Sequence, residues 1–488
     1  MEGSAILSLL TELELEDLLT GSERPDGLKP DDLAALYIAI AIGSQVRASC
    51  ARDKRCATKY ASRGRQIAFD GMLMDPSLSM VRNFLLMAFY MLGACRRNTA
   101  FVYLGVATRA AIAIGLHADP NKSICYQVID YSSRRRTWKS LCTLNIVVCS
   151  LFGRPSGLPP IETGHNEDGD SPALNSTSDP SAHAIFEVSL ILEQISQKIC
   201  RQERMNISTA EAFLQQLRQW SRSLPSELRH FSRREGSCAV FADRRVLIGN
   251  MHVSCFYYFA VISITRPFFI QHLISHLRSN RNTGIEKPQE TKVAALAQAC
   301  ISSAIYVVEL CAKASESNLL LANMCLLQAF VFGAGLILGF SSFTGEVTPD
   351  PRDAFHKART VLERLGTANP QARHYRDILT DFSHAIDKYR ERITCKEGRE
   401  IYAYVDRILT IDNKNATERP VPGDSSDSQP GYPDIATSDY FSAEQSELSP
   451  RLSNALDLEI HWDEISEQQF TSLNIDGLLS DVVLDTML

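Results

Sequence analysis

Apolar residues recur at spacings of three and four along most of the chain, which is the period of an α-helix with one buried face. The predicted helices cover residues 33–46, 58–73, 80–93, 99–114, 133–152, 182–200, 208–222, 241–265, 291–313, 317–341, 351–364 and 370–408. The sequence has no β-α alternation and no Asn-Gly or Asp-Gly turn between alternating segments. We therefore predict an all-α fold with one large multi-helix domain.

Two polar segments interrupt this pattern. Residues 162–180 are rich in Gly, Pro, Ser, Asn and Asp, which predicts a long surface loop, and residues 420–450 have the same character. The predicted divisions are an acidic amphipathic N-terminal segment (1–29), a helical domain (30–410), a polar linker (411–454) and an acidic tail (455–488). We expect the tail to be disordered.

Charge is distributed unevenly along the chain. The 488 residues include 50 Lys and Arg and 57 Asp and Glu, a net charge of -7. Residues 424–488, the linker's end and the tail together, contain 14 acidic residues and one basic residue, a net charge of -13. The preceding body, residues 1–423, has a net charge of +6. The whole chain therefore lacks the positive excess that would indicate nucleic-acid binding.

The tail interleaves carboxylates with large apolar residues, a composition typical of amphipathic activation segments. The candidate activation residues are Trp462, Phe470, Leu478, Leu479, Val482, Val483 and Leu484. As a helix, the last part of the tail would present apolar anchors to a groove on a coactivator. The alternative is an ordinary amphipathic helix that packs back on the body.

Other classes of protein have little support. The segments Val246–Thr265 and Ser317–Gly345 lack charge and are long enough to cross a bilayer, but both contain mid-segment polar residues, so we favour buried helices. The 13 cysteines include no C-x2-C pair, which argues against a cysteine zinc site and for reduced thiols. Acidic residues near the N-terminus argue against a secretory signal. No metalloprotease, nucleophile-elbow, P-loop or EF-hand motif occurs.

The first informative block is NTAFVYLGVATRAAIAIGLHADPN, residues 98–121. Gly105 and several alanines would let a neighbouring helix approach closely, so we expect an interior helix. Arg109 lies among these apolar residues, and a buried guanidinium needs a carboxylate or carbonyl partner. Gly115 followed by apolar Leu116 predicts a left-handed helix C-terminus. For His117, after this cap, we favour a structural role over a metal-ligand or acid-base role.

The second block is DYSSRRRTWKSLCTLNIVVCSLFGRP, residues 130–155, a predicted helix with one dominant face. That face contains Trp138, Leu141, Cys142, Asn145, Val148 and Phe152. Gly153 and Pro155 should end the helix. Arg134, Arg135 and Arg136 lie in its first predicted turn, where the helix dipole disfavours cations. A solvated basic face, pairing with carboxylates of neighbouring helices, and phosphate contact or nuclear-import recognition are the alternatives.

Together the two blocks resemble the middle homology region of fungal zinc-cluster transcription factors, the fungal-specific transcription factor domain. The matched features are Gly105 with Arg109, the run Ile114-Gly115-Leu116-His117, the Arg triplet with Trp138, and Gly153-Arg154-Pro155. Further on, FYYFAVISITRPFF, with Tyr257, Arg266 and Pro267, is similar to the family's Tyr-rich helix that ends in Arg-Pro. The resemblance covers residues 30–340. We expect Arg109, Arg154 and Arg266 to be structural anchors that pair with carboxylates or helix-end carbonyls.

This sequence also departs from the family pattern. Lys139 replaces the second tryptophan that follows the Arg triplet, and Asn145 replaces an Asp. The family's DNA-binding module, six cysteines that hold two zinc ions, is absent from this chain. The resemblance therefore implies no zinc or other cofactor here, and no direct sequence-specific binding of DNA.

The leading hypothesis is a nuclear, non-enzymatic regulator of transcription whose helical domain controls the output of the acidic tail. The expected partners are transcriptional coactivator or mediator-type proteins, with a DNA-binding partner protein and a small-molecule inducer as further candidates, and no membrane. A cofactor or truncated regulator that does not bind DNA itself is the alternative within this class. An enzyme or a membrane-associated helical protein is the alternative from another class.

Overall fold

A computed structural model describes residues 7–21, 28–47, 50–70, 75–118, 128–161, 179–200, 205–229, 240–279, 288–343 and 349–404. Within these ranges the chain is helical and contains no strand, which confirms the predicted all-α class. The helices are α1 Glu12–Gly21, α2 Pro30–Arg47, α3 Ala51–Asp70, α4 Leu78–Gly93, α5 Arg97–Ala113, α6 Val128–Phe152, α7 Pro180–Cys200, α8 Ile207–Ser223, α9 Ser226–Arg229, α10 Val240–Ser279, α11 Pro288–Glu316, α12 Cys325–Ser341, α13 Pro349–Gly366 and α14 Pro370–Tyr404. Most of the predicted loop at 162–180 and the whole tail lie outside the described residues.

Several helix boundaries differ from the prediction, and three of the differences affect the motif residues or the core. Helix α6 begins at Val128, so the Arg triplet lies beyond its first turn, where the dipole penalty is smaller. Helix α10 continues through Pro267 to Ser279 instead of ending at Arg-Pro. Only part of the predicted helix 317–341 is helical. Residues 317–324 form the connection after α11, and residues 325–341 form α12, a helix of 17 residues.

Short polar signals fix several helix starts. Thr11 and Glu14 form a capping box: the Thr11 amide donates to the Glu14 carboxylate (2.7 Å), and the Glu14 amide donates to the Thr11 hydroxyl (3.1 Å). Ser77 caps α4 by accepting from the Met80 amide, and Asn206 caps α8 by accepting from the Thr209 amide.

Left-handed residues end four helices. Gly115 (φ 70°) and Gly153 (φ 57°) follow α5 and α6 as predicted, and Cys95 (φ 60°) and Asn318 (φ 53°) follow α4 and α11. In each case the next amide donates to a carbonyl five residues earlier, for example Leu116 to Ala111 (2.9 Å). This is the Schellman pattern, which satisfies carbonyls that a helix end would otherwise leave unpaired.

Sequence neighbours pack as pairs, with α2 on α3, α4 on α5, and α10, α11 and α12 in succession. Gly64 of α3 lies so close to α2 that an added Cβ would be 2.8 Å from the Ile38 side chain. Large side chains such as Phe84, Leu144 and Phe256 are almost fully buried. The described residues through Ile386 form one compact unit, and the described residues from Asp387 onward belong to a second unit.

Two helices are long and apolar enough to cross a bilayer by length and composition alone, within Arg244–Leu277 and Glu290–Glu316. About half of each apolar window, 56% and 50%, is buried inside the protein. These helices pack against each other and against α12, as core helices do.

Candidate functional site

The C-terminus of α5 is the first place where the motif residues meet. Arg134 of α6 donates to the carbonyl of Ile114 (2.8 Å), the residue that caps α5. A cation at this position also complements the negative end of the α5 dipole. Gly115 supplies the left-handed turn, and Leu116 is buried behind it. The motif residues thus join the end of α5 to α6.

Arg154 holds the end of α6 in a similar way. Its guanidinium donates to the Asn98 side chain (2.6 Å) and lies over the Phe101 ring, 4.7 Å from the centroid. The partner is thus an amide oxygen and an aromatic face, not the expected carboxylate or helix-end carbonyl. The carbonyl of Pro155 lies 3.8 Å from the sulfur of the buried Cys149 thiol.

Asn145 occupies the position of the family's Asp and is buried. Its side-chain amide donates to the Thr108 hydroxyl (3.2 Å), and its oxygen accepts from Ser156 (3.2 Å) and from Cys149 (3.4 Å). Thr108 in turn donates its proton to Leu104 (2.8 Å). An amide therefore satisfies both neighbours, which a carboxylate would not, because the Thr108 oxygen faces it as an acceptor.

The Glu14 clamp, formed by Glu14, Arg82, Ser133, Arg136 and Thr137, holds the N-terminal segment on α4 and α6. Arg136 (3.0 Å) and Arg82 (3.4 Å) both pair with the Glu14 carboxylate. Arg82 also donates to the hydroxyls of Ser133 and Thr137. Of the alternatives for the Arg triplet, Arg136 thus takes carboxylate pairing.

The clamp also changes the acidity of Glu14. Burial opposes ionisation, but the Thr11 amide and the two guanidinium groups outweigh it, so the pKa of Glu14 lies below its ordinary value of 4.5. The carboxylate is therefore ionised at neutral pH. The segment that was predicted only as acidic and amphipathic is part of the packed body, with Leu9 completely buried.

Two motif residues, Arg109 and Gly105, lie elsewhere than expected. Arg109 was expected in the interior, but it is exposed and makes no ion pair or hydrogen bond with any residue the structure describes. Gly105 is also exposed, and an added Cβ would meet nothing within 4 Å. The reason is that α5 buries its alanine face through Ala107 and Ala111, while Gly105 and Arg109 share the opposite face. His117 is exposed as well.

The face of α6 is wider than predicted, because every residue from Ser140 to Cys149 is buried. Trp138 and Phe152 lie at its half-buried edges. Lys139, in place of the family's tryptophan, contacts His183 of α7 (3.3 Å) and lies over the Phe186 ring, 5.4 Å from its centroid. The Lys139 ammonium group thus makes a cation–π contact with Phe186.

Helix α10 carries a row of aromatic side chains. Tyr257 stacks on Trp220 (6.2 Å between centroids) and contacts Tyr258, which in turn contacts the exposed Tyr306. Arg266 and Pro267 follow within the same helix and are half-buried. The Arg266 charge lies near the Cys300 thiol, whose pKa burial raises to about 12.

A cleft that the sequence did not predict lies between α2, α3, the end of α4 and the start of α14. We call it the α3–α4 cleft, and its volume is about 440 Å³. Its charged lining residues are Lys54, Arg65 and Arg96, and no carboxylate lines it among the described residues. Its hydroxyl groups come from Ser44, Thr58, Ser62 and Tyr90, and its apolar surface comes mainly from alanines. It combines apolar walls with a few convergent polar groups, as small-molecule sites do.

Asn369 assembles the floor of this cleft. Its side-chain amide donates to the carbonyls of Ala322 (2.6 Å) and Gly93 (3.4 Å). Its oxygen accepts from the Gln371 amide (2.7 Å), which caps α14. Three segments far apart in sequence therefore meet at this one buried side chain.

Metal-ligating side chains are not clustered in the described part of the chain. Across the described ranges no group of three or more His, Cys, Asp or Glu residues is placed to hold a metal ion. Cys255 and Cys311 lie 3.9 Å apart in the core, where the contact with Cys311 and burial raise the pKa of Cys255. The candidate activation residues, Trp462 to Leu484, lie outside the described part of the chain.

Comparison with known proteins shows what the motif-bearing helices are similar to. Residues 8–230 match the fungal specific transcription factor domain. The chain is 21% identical to filamentous growth regulator 27 of Candida albicans, over 79% of this chain and 50% of that protein. It is 28% identical to activatory protein CHA4 of Saccharomyces cerevisiae, over 40% of this chain and 32% of that protein.

A third relative is the thiamine repressible genes regulatory protein thi1 of Schizosaccharomyces pombe, which is 23% identical over 73% of this chain and 45% of that protein. The matches thus span half or less of the length of these curated relatives. The matched domain includes α1 and the Glu14 clamp, since it begins at residue 8.

Proposed function

We propose that this chain, which carries a fungal specific transcription factor domain over residues 8–230, is a nuclear regulator of transcription. The domain match is the observation that carries the proposal, and the names of the relatives agree with it. No catalytic step is assigned to the chain. The helical domain acts as the regulatory module, and residues 455–488 act as the activation segment.

The described helices support a regulatory role for the body. Hydrogen bonds between helices are made by the side chains of Arg134, Asn145 and Arg154, and Gly115 supplies the left-handed end of α5. These residues therefore have structural roles. The Glu14 clamp ties the N-terminal segment to the same helices. Helices linked by such hydrogen bonds and ion pairs can transmit a shift of one helix to the neighbouring helices.

The acidic tail supports the activation role by its composition. Its apolar residues would anchor on a coactivator or mediator-type protein, and its carboxylates would speed the encounter with a basic surface. A separate DNA-binding protein would bring this chain to promoters if the chain does not bind DNA itself.

A reporter assay tests the proposal. The full chain and residues 455–488 are each fused to an unrelated DNA-binding module, and reporter output is measured in a fungal host. We expect both fusions to activate, and we expect replacement of Leu478, Leu479, Val482 and Val483 by Ala to reduce the output far more than the matched control Asp476→Asn. If both wild-type fusions are inert while expressed and nuclear, the proposed function is wrong.

A further inference from the structure

We propose that the α3–α4 cleft binds a small organic anion that carries a carboxylate or phosphate group, and that this ligand is the effector of the regulatory domain. The inference rests on the proposed function in that it names the ligand class through which the domain would be regulated. Lys54 and Arg65 of α3 and Arg96 after α4 would hold the anion.

The charge of the cleft is the first argument. Three cations line it, and no described carboxylate accompanies them. The side chains of Lys54, Arg65 and Arg96 make no ion pair or hydrogen bond with the rest of the described chain. Cations gathered around one concave surface repel each other, and a bound anion relieves that repulsion.

The geometry around Arg96 is the second argument. Cys95 is left-handed (φ 60°), and the Arg96 amide closes the helix end by donating to Met91 (2.9 Å). This backbone fixes the point from which the guanidinium extends. The Tyr90 hydroxyl is hydrogen-bonded to Thr58. Burial raises the pKa of Tyr90, and the nearby Arg96 charge opposes that rise. A planar guanidinium held at this position matches a carboxylate or phosphate group.

The size and walls of the cleft favour a small ligand over a macromolecule. A volume of about 440 Å³ lies within the roughly 300–1,000 Å³ of small-molecule sites. Ala57, Ala61, Ala94 and Ala368 leave this space open because their side chains are short. Ser62 offers a further hydroxyl for the polar groups of the ligand, whereas the Ser44 hydroxyl already donates to the Ile40 carbonyl (2.9 Å).

The position of the cleft explains how binding would reach the fold. A ligand held by Lys54 and Arg96 would bridge α3 to the end of α4, next to Asn369 and the start of α14. A ligand that binds only the folded arrangement stabilises it in proportion to its occupancy. Binding should therefore raise the melting temperature of the full chain.

Calorimetry and thermal melting of the purified full chain test this inference, with citrate, glucose 6-phosphate and inorganic phosphate as probes and neutral glucose as the control, all at constant ionic strength. We expect saturable binding and a rise in melting temperature with at least one organic anion, and neither effect with glucose. Citrate alone would indicate a carboxylate ligand, and glucose 6-phosphate alone a phosphate ester.

Matched sets of variants locate the site. Lys54→Gln and Arg96→Gln should each weaken binding by roughly tenfold, because each removes a charge-assisted contact. Lys59→Gln and Arg63→Gln, exposed cations of α3 that do not line the cleft, should leave the affinity unchanged. Circular dichroism of each variant without ligand checks that it folds.

Two results overturn the inference: no saturable binding of either organic anion to the folded wild type, or equal affinity in the cleft variants and the controls. The reporter assay uses no added anion, so the two proposals fail separately. An active reporter without anion binding rejects only the cleft, and anion binding with inert reporter fusions rejects only the transcriptional role.

Discussion

The Glu14 clamp and the core of α10, α11 and α12 hold helices together by different means. The clamp joins α1 to α4 and α6 through one carboxylate, two guanidinium groups and two hydroxyls. The α10–α12 core instead packs Phe256 and Phe259 against Phe330, with centroids 5.4 and 4.4 Å apart. Directional polar contacts specify where the N-terminal segment lies, whereas apolar burial supplies most of the free energy of folding.

The largest expected effect comes from the apolar side of this comparison. Phe256→Ala removes a ring that is 1% exposed, and we expect it to lower the free energy of unfolding by about 3–5 kcal/mol. Urea denaturation measures this change. Leu13→Ala, at a residue that is 74% exposed, is the control and should have almost no effect. A Phe256→Ala cost below that of the clamp variant would reverse the comparison.

The Glu14 clamp should contribute less to the free energy of unfolding than Phe256 does, and its loss should affect mainly the N-terminal segment. Arg82→Met keeps the apolar stem and removes the donors to Glu14, Ser133 and Thr137, so we expect a loss of about 1.5–3 kcal/mol. Hydrogen exchange should accelerate most in residues 7–21. Uniform acceleration across the body would show that the clamp does not specifically hold the N-terminal segment.

Asn145→Asp tests whether the hydrogen bond between residue 145 and Thr108 requires an amide donor at residue 145. The carboxylate would face the Thr108 oxygen, whose proton is already donated to Leu104. We therefore expect a loss of about 1–3 kcal/mol at neutral pH. Part of the loss should be regained as the pH falls, because a protonated Asp can donate. Stability equal to that of the wild type would mean that a buried cation compensates.

The two regions should also lose stability in different pH ranges. Burial in α10 lowers the pKa of His252 from 6.5 to about 4, against the opposing effect of its hydrogen bond to Ile248. The folded state therefore prefers the neutral ring, and its stability is complete above pH 6.5 and falls between pH 6.5 and about 4.

Between pH 7 and 5.5 this group alone should remove about 1 kcal/mol. Stability measured by urea titration at both values checks this, and His252→Gln should be insensitive over the same range. The clamp behaves differently, because the pKa of Glu14 is below 4.5, so its contribution is lost only in more acidic solution. A wild-type curve that is flat from pH 7 to 5.5 would contradict the His252 assignment.

The smallest effect should come from an exposed ion pair on the same segment as the clamp. Arg245 pairs with Glu12 at 3.0 Å, but the two side chains are 58% and 85% exposed. Glu12→Gln should change the free energy of unfolding by about 0–1 kcal/mol. A cost equal to that of Arg82→Met would mean that any charge on α1, and not the clamp geometry, holds the segment.

The sequence by itself determined the helical class and many of the local details. Helical periodicity and capping residues act between near neighbours, so most helix positions, the left-handed end at Gly115 and the helix end at Gly153 could be predicted. The family resemblance also follows from local motifs, and the domain match over residues 8–230 agrees with it.

Only the tertiary structure decided which face of each helix is buried and which distant groups meet. Arg109 could not be placed from sequence, because a helix as rich in small residues as α5 has no strong apolar stripe to orient it. Glu14, Arg82 and Arg136 are up to 122 residues apart, and Lys54 and Asn369 are still more distant in the chain. Their meeting depends on how whole helices pack, a long-range property that local periodicity does not encode.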